Sequence, residues 1–232
     1  MRAPSPVRLL VVTGLQREAQ VVAGDAVITV CSGGNPASLR RRLAGLTTDG
    51  IGAVLSFGLA GGLAPHLKSG DLVIASRVVA GGSRHDVHAE WHGRMSSFPF
   101  TGGEVHRGAI AGHDSVVAGV ADKASLHKTS GAIAVDMESH IAADFARSHG
   151  LPFAVLRAIS DPAHRSLPPI ATDALTPDGD VDLRKVIAGL LRQPGQLPAL
   201  IAAGIDSGRA FRSLRRSRGL LGPLLGFLSP HL

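Results

Sequence analysis

The feature that most constrains this chain is a series of short apolar runs, several without polar alternation, separated by stretches of helical periodicity and punctuated by glycine. Strands that are apolar on both faces need cover on both faces, which predicts an α/β fold. The strand-like runs are Val7 to Thr13, Ala26 to Cys31, Ile51 to Phe57, Leu72 to Ala80, Val105 to Ala111, Ala132 to Val135 and Pro152 to Ile159. Helical patterns lie at Pro36 to Leu46, Ser115 to Leu126, Met137 to His149, Leu183 to Leu191 and Leu197 to Leu214. At 232 residues the chain suffices for one sizeable core. Residues 1–195 are therefore expected to form one α/β domain, with 196–232 as a basic, Leu-rich helical tail of that domain.

Composition excludes several classes. No apolar run approaches the ~20 residues of a membrane-spanning helix. Cys31 is the single cysteine, which rules out an intrachain disulfide and a thiolate zinc site. The start, Met1-Arg2-Ala3-Pro4, lacks the apolar core of a signal peptide, and the expected compartment is the cytoplasm. The net charge of +6 is unevenly spread: residues 184–232 hold eight basic side chains against Asp206 alone, so the remainder is nearly neutral. A wholly basic surface for specific nucleic-acid binding is not implied, and aromatics at 3% leave few stacking platforms.

Glycines cluster where strands are expected to end, at Gly14, at Gly58, Gly61 and Gly62, and at Gly81-Gly82. Ligands sit at strand ends in such sheets. Ser56 to Gly62 lets backbone amides approach an anion or sugar, or is a tight turn; it has neither the spacing of a P-loop nor that of a dinucleotide fingerprint. Asp136 and Glu138 stand where a strand enters a helix, either opposing the helix dipole or offering Glu138 to vicinal hydroxyls with the Met137 thioether over a sugar face. Asp161 before Pro162 is a strand-end carboxyl group or a helix start. Arg157 inside an apolar strand needs a partner such as Glu138. Arg17 and Glu18 follow Gly14 at a helix start. Gly81 to Gly103 reads as a long loop or pair of loops, in which His85, Asp86, His88 and His92 fit ordinary loop residues better than a metal site.

Taken together and in order, Gly14 to Glu18, Gly58-Leu59-Ala60-Gly61-Gly62-Leu63 with Gly70-Asp71-Leu72-Val73, Gly112-His113-Asp114-Ser115, Val135-Asp136-Met137-Glu138 and Arg157-Ala158-Ile159-Ser160-Asp161 resemble the nucleoside phosphorylase and nucleosidase superfamily. Gly14-Leu15 with Glu18, Ala111 to Ser115 and the Arg- and Leu-rich C-terminus look most like its hopanoid-associated phosphorylases, proposed to release adenine from adenosylhopane. The resemblance implies a three-layer α/β/α sandwich around a mixed, partly barrel-like sheet, dimeric or larger, and an oxocarbenium-like transition state. Asp161 would be the general acid toward purine N7, aided by Ser160; Glu138 and Met137 would bind ribose; Val116 and Val117 would line the base pocket; Arg157 would stand behind them.

The resemblance further implies no cofactor, with inorganic phosphate as co-substrate at Gly14, Arg17 and Gly58. Ser56 and Leu59 depart from the arginine and serine usual in phosphorylases. The runner-up is a hydrolytic methylthioadenosine/S-adenosylhomocysteine nucleosidase in which Glu18 activates water. Arg84, His85 and Asp86 would reach a neighbouring subunit's site. The tail arginines, Arg209 to Arg218, precede Leu220, Leu221, Leu224, Leu225, Phe227 and Leu228, a pattern that either docks on an anionic leaflet or packs on the body or in an interface.

Overall fold

One long strand organises the molecule. In the computed structural model, which describes residues 7–170 and 182–227, β3 (Ile51–Gly62) is 12 residues long and shares its two edges among three neighbours. Along one edge it pairs in parallel with β1 (Arg8–Thr13) and then, at Gly61 and Gly62, antiparallel with β7 (Ala134–Asp136). Along the other it pairs in parallel with β8 (Phe153–Asp161). A second long strand, β4 (Leu72–Ala80), joins β8 antiparallel and β6 (Val105–Gly112) in parallel, and β6 joins β7. The pairings β3–β7–β6–β4–β8–β3 close a mixed five-strand ring, which removes edges that would otherwise stay unpaired. Strands β1 and β2 (Val27–Cys31) extend the sheet beyond β3, and β5 (Ser83–Asp86) extends it beyond β4.

Helices cover both faces, as the unalternating runs require. In β1, Leu10 and Val12 pack with Leu39 and Leu43 of α2 (Pro36–Ala44) and Ile141 and Phe145 of α5 (Ser139–Ser148). Leu9 and Val11 pack the other way, with Val22 of α1 (Gln16–Val22), Trp91 and Met95 of α3 (Ala89–Ser97), and Phe211 and Leu214 of the C-terminal helix. Adjacent strand residues point to opposite faces, so one run feeds both cores. The result is a three-layer α/β/α arrangement around a partly closed mixed sheet.

The structure differs from the sequence reading in several places. The expected loop from Gly81 to Gly103 contains β5 and α3: Gly81 (φ 52°) and Gly82 (φ 83°) make a two-residue hairpin turn between the paired residues Ala80 and Ser83. His88 then caps α3 by accepting from the Trp91 amide. α1 begins at the helix start expected beside Arg17 and Glu18, although no helical pattern was drawn through to Val22. α4 (Val120–Ser130) starts five residues later than its apolar pattern indicates, behind Gly119. α6 (Leu183–Arg192) and α7 (Leu197–Leu221) follow the expected helices, α7 running one further turn and more.

The tail leucines pack on the body. Leu221, Leu225 and Phe227 are buried, the Phe227 ring lies 5.1 Å from the Trp91 ring, and Trp91 Nε1 donates to the Leu225 carbonyl at 3.0 Å. This favours the packing alternative over a lipid-facing patch at these three positions. Phe227→Ala is expected to cost roughly 3–5 kcal/mol in urea denaturation, as a buried aromatic does; a lipid-facing side chain would leave the midpoint unmoved. Leu228 of the tail pattern, and residues 171–181, lie outside the described residues. No helix among the described residues is long and apolar enough to cross a membrane.

Candidate functional site

Gly14, Glu18, Val116, Val117, Met137, Glu138, Ser160 and Asp161, from four separate segments, line one cleft of about 190 Å³ at the ends of β1, β3, β7 and β8. Each arrives there for a local reason. At the end of β8 the pairing slips: Ala60 faces Ile159 but Gly61 faces Asp161, leaving Ser160 as an extra residue. Such a bulge re-aims the side chains beside it. Ser160 Oγ consequently donates to Asp161 Oδ1 at 2.7 Å, and the Asp161 carboxyl lies beside Gly61, where a Cβ would stand 3.1 Å from Oδ2. Asp161 ends its strand, and no helix starts at Pro162.

The two acids at the end of β7 divide the roles that were open for them. Asp136 Oδ1 accepts from the amides of Glu138 and Ser139 and so caps α5. Glu138, freed from that task, turns toward Gly14, where a Cβ would stand 3.1 Å from its Oε1. Ser32 Oγ donates to the same oxygen at 2.8 Å. Burial pushes Glu138 up to about 7 against the lowering effect of Arg157, with Asp136 and Glu18 adding to the rise.

Arg157 finds a closer partner than Glu138. Its Nε lies 2.7 Å from Asp136 Oδ2, its Nη2 lies 3.4 Å from Glu138 Oε2, and Nη2 also donates to Ser56 Oγ at 2.6 Å. A fully buried guanidinium thus stands behind the cleft and ties its carboxylates to β3 and β8. Ser56 is part of this support.

Glu18 occupies the amide cradle that the glycine pattern implies. Its Oε2 accepts from the Gly14 and Leu15 amides at 2.7 and 2.9 Å, and its Oε1 accepts from the Leu59 amide at 2.8 Å. The Ser56 to Gly62 stretch is therefore strand throughout rather than a turn. Gly58 is required by crowding: a Cβ there would come within 2.6 Å of the Glu18 carboxyl and 2.8 Å of Arg157 Nη1, and its φ of 154° is strained for other residues. Burial raises the pKa of Glu18, opposed by Arg157 and by the three amides. Burial likewise raises that of Asp161, opposed by Lys123 and Ser160.

Four expected participants stand elsewhere. Arg17 precedes Glu18 by one residue, about 100° around the helix; it is exposed, its guanidinium sits 4.4 Å above the Phe211 ring, and it is not among the residues that line this cleft. Arg84, His85 and Asp86 lie on edge strand β5, and none lines the cleft of its own chain. Arg84 pairs with Asp86, while His85 is buried 3.8 Å from Asp144. Among the described residues no three His, Cys, Asp or Glu side chains converge on a metal position.

Sequence reasoning missed Lys123 of α4, whose Nζ lies 2.6 Å from Asp161 Oδ2, and Ser32 beneath Glu138. Neither carries a local signal: Lys123 sits among polar residues on a helix with almost no apolar face, and Ser32 follows a strand end.

A family model described as the phosphorylase superfamily matches residues 9–189. Among solved structures, the chain is similar to the 5′-methylthioadenosine/S-adenosylhomocysteine nucleosidase of Neisseria meningitidis in complex with methylthio-immucillin-A, at 21% identity and a TM-score of 0.63, over 80% of this chain and 98% of that one. The futalosine hydrolase of Helicobacter pylori matches at 18% identity and a TM-score of 0.61, over 79% and 98% of the two chains. The S-adenosylhomocysteine nucleosidase of Streptococcus pyogenes in complex with 5-methylthiotubericidin matches at 19% and 0.60, over 88% and 98%. With this fold, this order of strand-end motifs and the matched family model, the chain belongs to the phosphorylase superfamily and is an enzyme of the nucleoside phosphorylase/nucleosidase type.

Proposed function

We propose that this enzyme cleaves the N-glycosidic bond of a purine nucleoside bearing an apolar 5′ substituent, with water as the nucleophile. The observation that carries the choice of water is electrostatic. The amide cradle already holds the Glu18 carboxylate, and Glu138 and Asp136 stand on the same side. No Lys, Arg or His is among the described residues lining the cleft. A phosphate ion would meet carboxylates without a cation of its own, which is unfavourable at these separations and in this degree of burial. This reverses the order of the two alternatives drawn from resemblance.

In this reading Glu138 accepts the vicinal ribose hydroxyls and Met137 covers the sugar's apolar face. Val116, Val117 and Leu167 supply the apolar surface for the base and the 5′ group. As the bond between C1′ and N9 breaks, its electron pair passes to the purine, and Asp161 delivers a proton to N7. Glu18 takes a proton from the attacking water; a buried carboxylate with a raised pKa is a better base near neutrality than an exposed one. The Neisseria and Streptococcus relatives, crystallised with nucleoside analogues, agree with a nucleoside ligand.

The test is product analysis. Purified protein is incubated with 5′-methylthioadenosine and with adenosines carrying longer 5′-alkyl groups, with and without labelled phosphate. Adenine and the free pentose are expected at a rate indifferent to phosphate. A labelled pentose 1-phosphate would establish phosphorolysis instead, and would point to a cation such as Arg84 arriving from a second copy.

A further inference from the structure

Helix α4 has one buried side chain, and it is a charged one. Lys123 is 0% exposed, whereas the apolar residues of the helix are not buried. Dehydrating an ammonium group costs several kcal/mol unless its protons are all received. Here they are: Nζ donates to Asp161 Oδ2 at 2.6 Å, to the Arg165 carbonyl at 2.9 Å and to the Pro162 carbonyl at 3.2 Å. Packing alone would be served as well by a buried leucine or methionine. The charge has a reason only in what it faces.

What it faces is one oxygen of the acid. Asp161 Oδ1 is held by Ser160 and Oδ2 by Lys123, so the carboxyl plane is fixed from both sides. The same ammonium clasps the turn after β8, and the Leu167 amide at its far end donates to the Ala118 carbonyl at 3.1 Å. The wall formed by Ser115 to Val117 and Leu167 is thereby joined to the acid through one side chain.

We propose that Lys123 is a positioning residue for glycosidic cleavage: acting through Asp161, it aims the carboxyl group at the leaving base and supplies the positive charge that faces the carboxylate formed when Asp161 gives its proton to N7. The inference rests on the reading of Asp161 as the acid. The bond broken is O–H on Asp161 and the bond formed is N–H on the purine; Lys123 keeps its own protons. Stabilising the conjugate base makes the donor a stronger acid, and burial without Lys123 would leave Asp161 protonated but reluctant.

The experiment compares leaving groups. Lys123→Met, Lys123→Gln, Lys123→Arg and Asp161→Asn are assayed on 5′-methylthioadenosine and on p-nitrophenyl β-D-ribofuranoside, whose leaving group departs as a stable anion and needs no proton. Lys123→Met and Lys123→Gln are expected to lower kcat on the purine nucleoside by about 10²-fold, within the range for general acid catalysis, with KM little changed. Turnover of the aryl riboside should stay near wild type, which also reports correct folding, and Lys123→Arg should recover part of the purine activity. Parallel loss on both substrates in both neutral variants, or no selective loss while Asp161→Asn shows one, overturns the proposal. If Asp161→Asn itself spares the purine nucleoside, the reading of Asp161 fails instead.

Discussion

Asp161→Asn is expected to lower kcat on 5′-methylthioadenosine by about 10²–10⁴-fold, the range over which a positioned general acid acts. An amide has no acidic proton to give, yet it has the size and shape of the carboxyl group, so KM should move little. The variant also replaces the carboxyl oxygen that receives the buried Lys123 ammonium, so folding is checked along with activity. Steady-state kinetics are therefore read beside circular dichroism at a temperature well below the melting transition. A folded variant with full turnover would remove Asp161 from the mechanism.

Glu18→Gln carries the second large effect, also a fall of about 10²–10⁴-fold in kcat, because it removes the base that takes the water proton. The Glu18 carboxylate now receives three backbone amides, from Gly14, Leu15 and Leu59. Glutamine has one acceptor oxygen, so at least one of these buried donors loses its partner. This substitution also separates the two nucleophiles. With water, added phosphate should not restore turnover of the variant. With phosphate as the true nucleophile, neutralising Glu18 would relieve repulsion in the cradle, and phosphate-dependent turnover would persist or rise.

The two acids were legible in the sequence because they sit at strand ends inside ordered motifs, and strand ends converge in a sheet of this kind. Arg157 was legible as a problem, a charge inside an apolar strand, but its main partner was not: Asp136 is 21 positions away and is brought 2.7 Å from it only by the pairing of β7 and β8 with β3. Arg17 looked as useful as Glu18 on the page. One residue of helical rotation puts it outside the cleft on Phe211. β5 and α3 were hidden for a different reason. Each is short, with few apolar residues, and each is held by what it packs against: β5 by the β4 edge, α3 by Trp91 seated against the tail.

What the sequence determined by itself was the alternation of covered strands and helices and the order of the glycine and carboxylate motifs, since apolar periodicity and backbone sterics act over a few residues. The tertiary structure alone decided that β3 and β4 close a ring, that Glu18 fills its own anion cradle and that Lys123 stands behind Asp161. Those outcomes depend on which distant edges pair and which charges are dried together, and neither edge nor charge carries a local mark of its eventual partner.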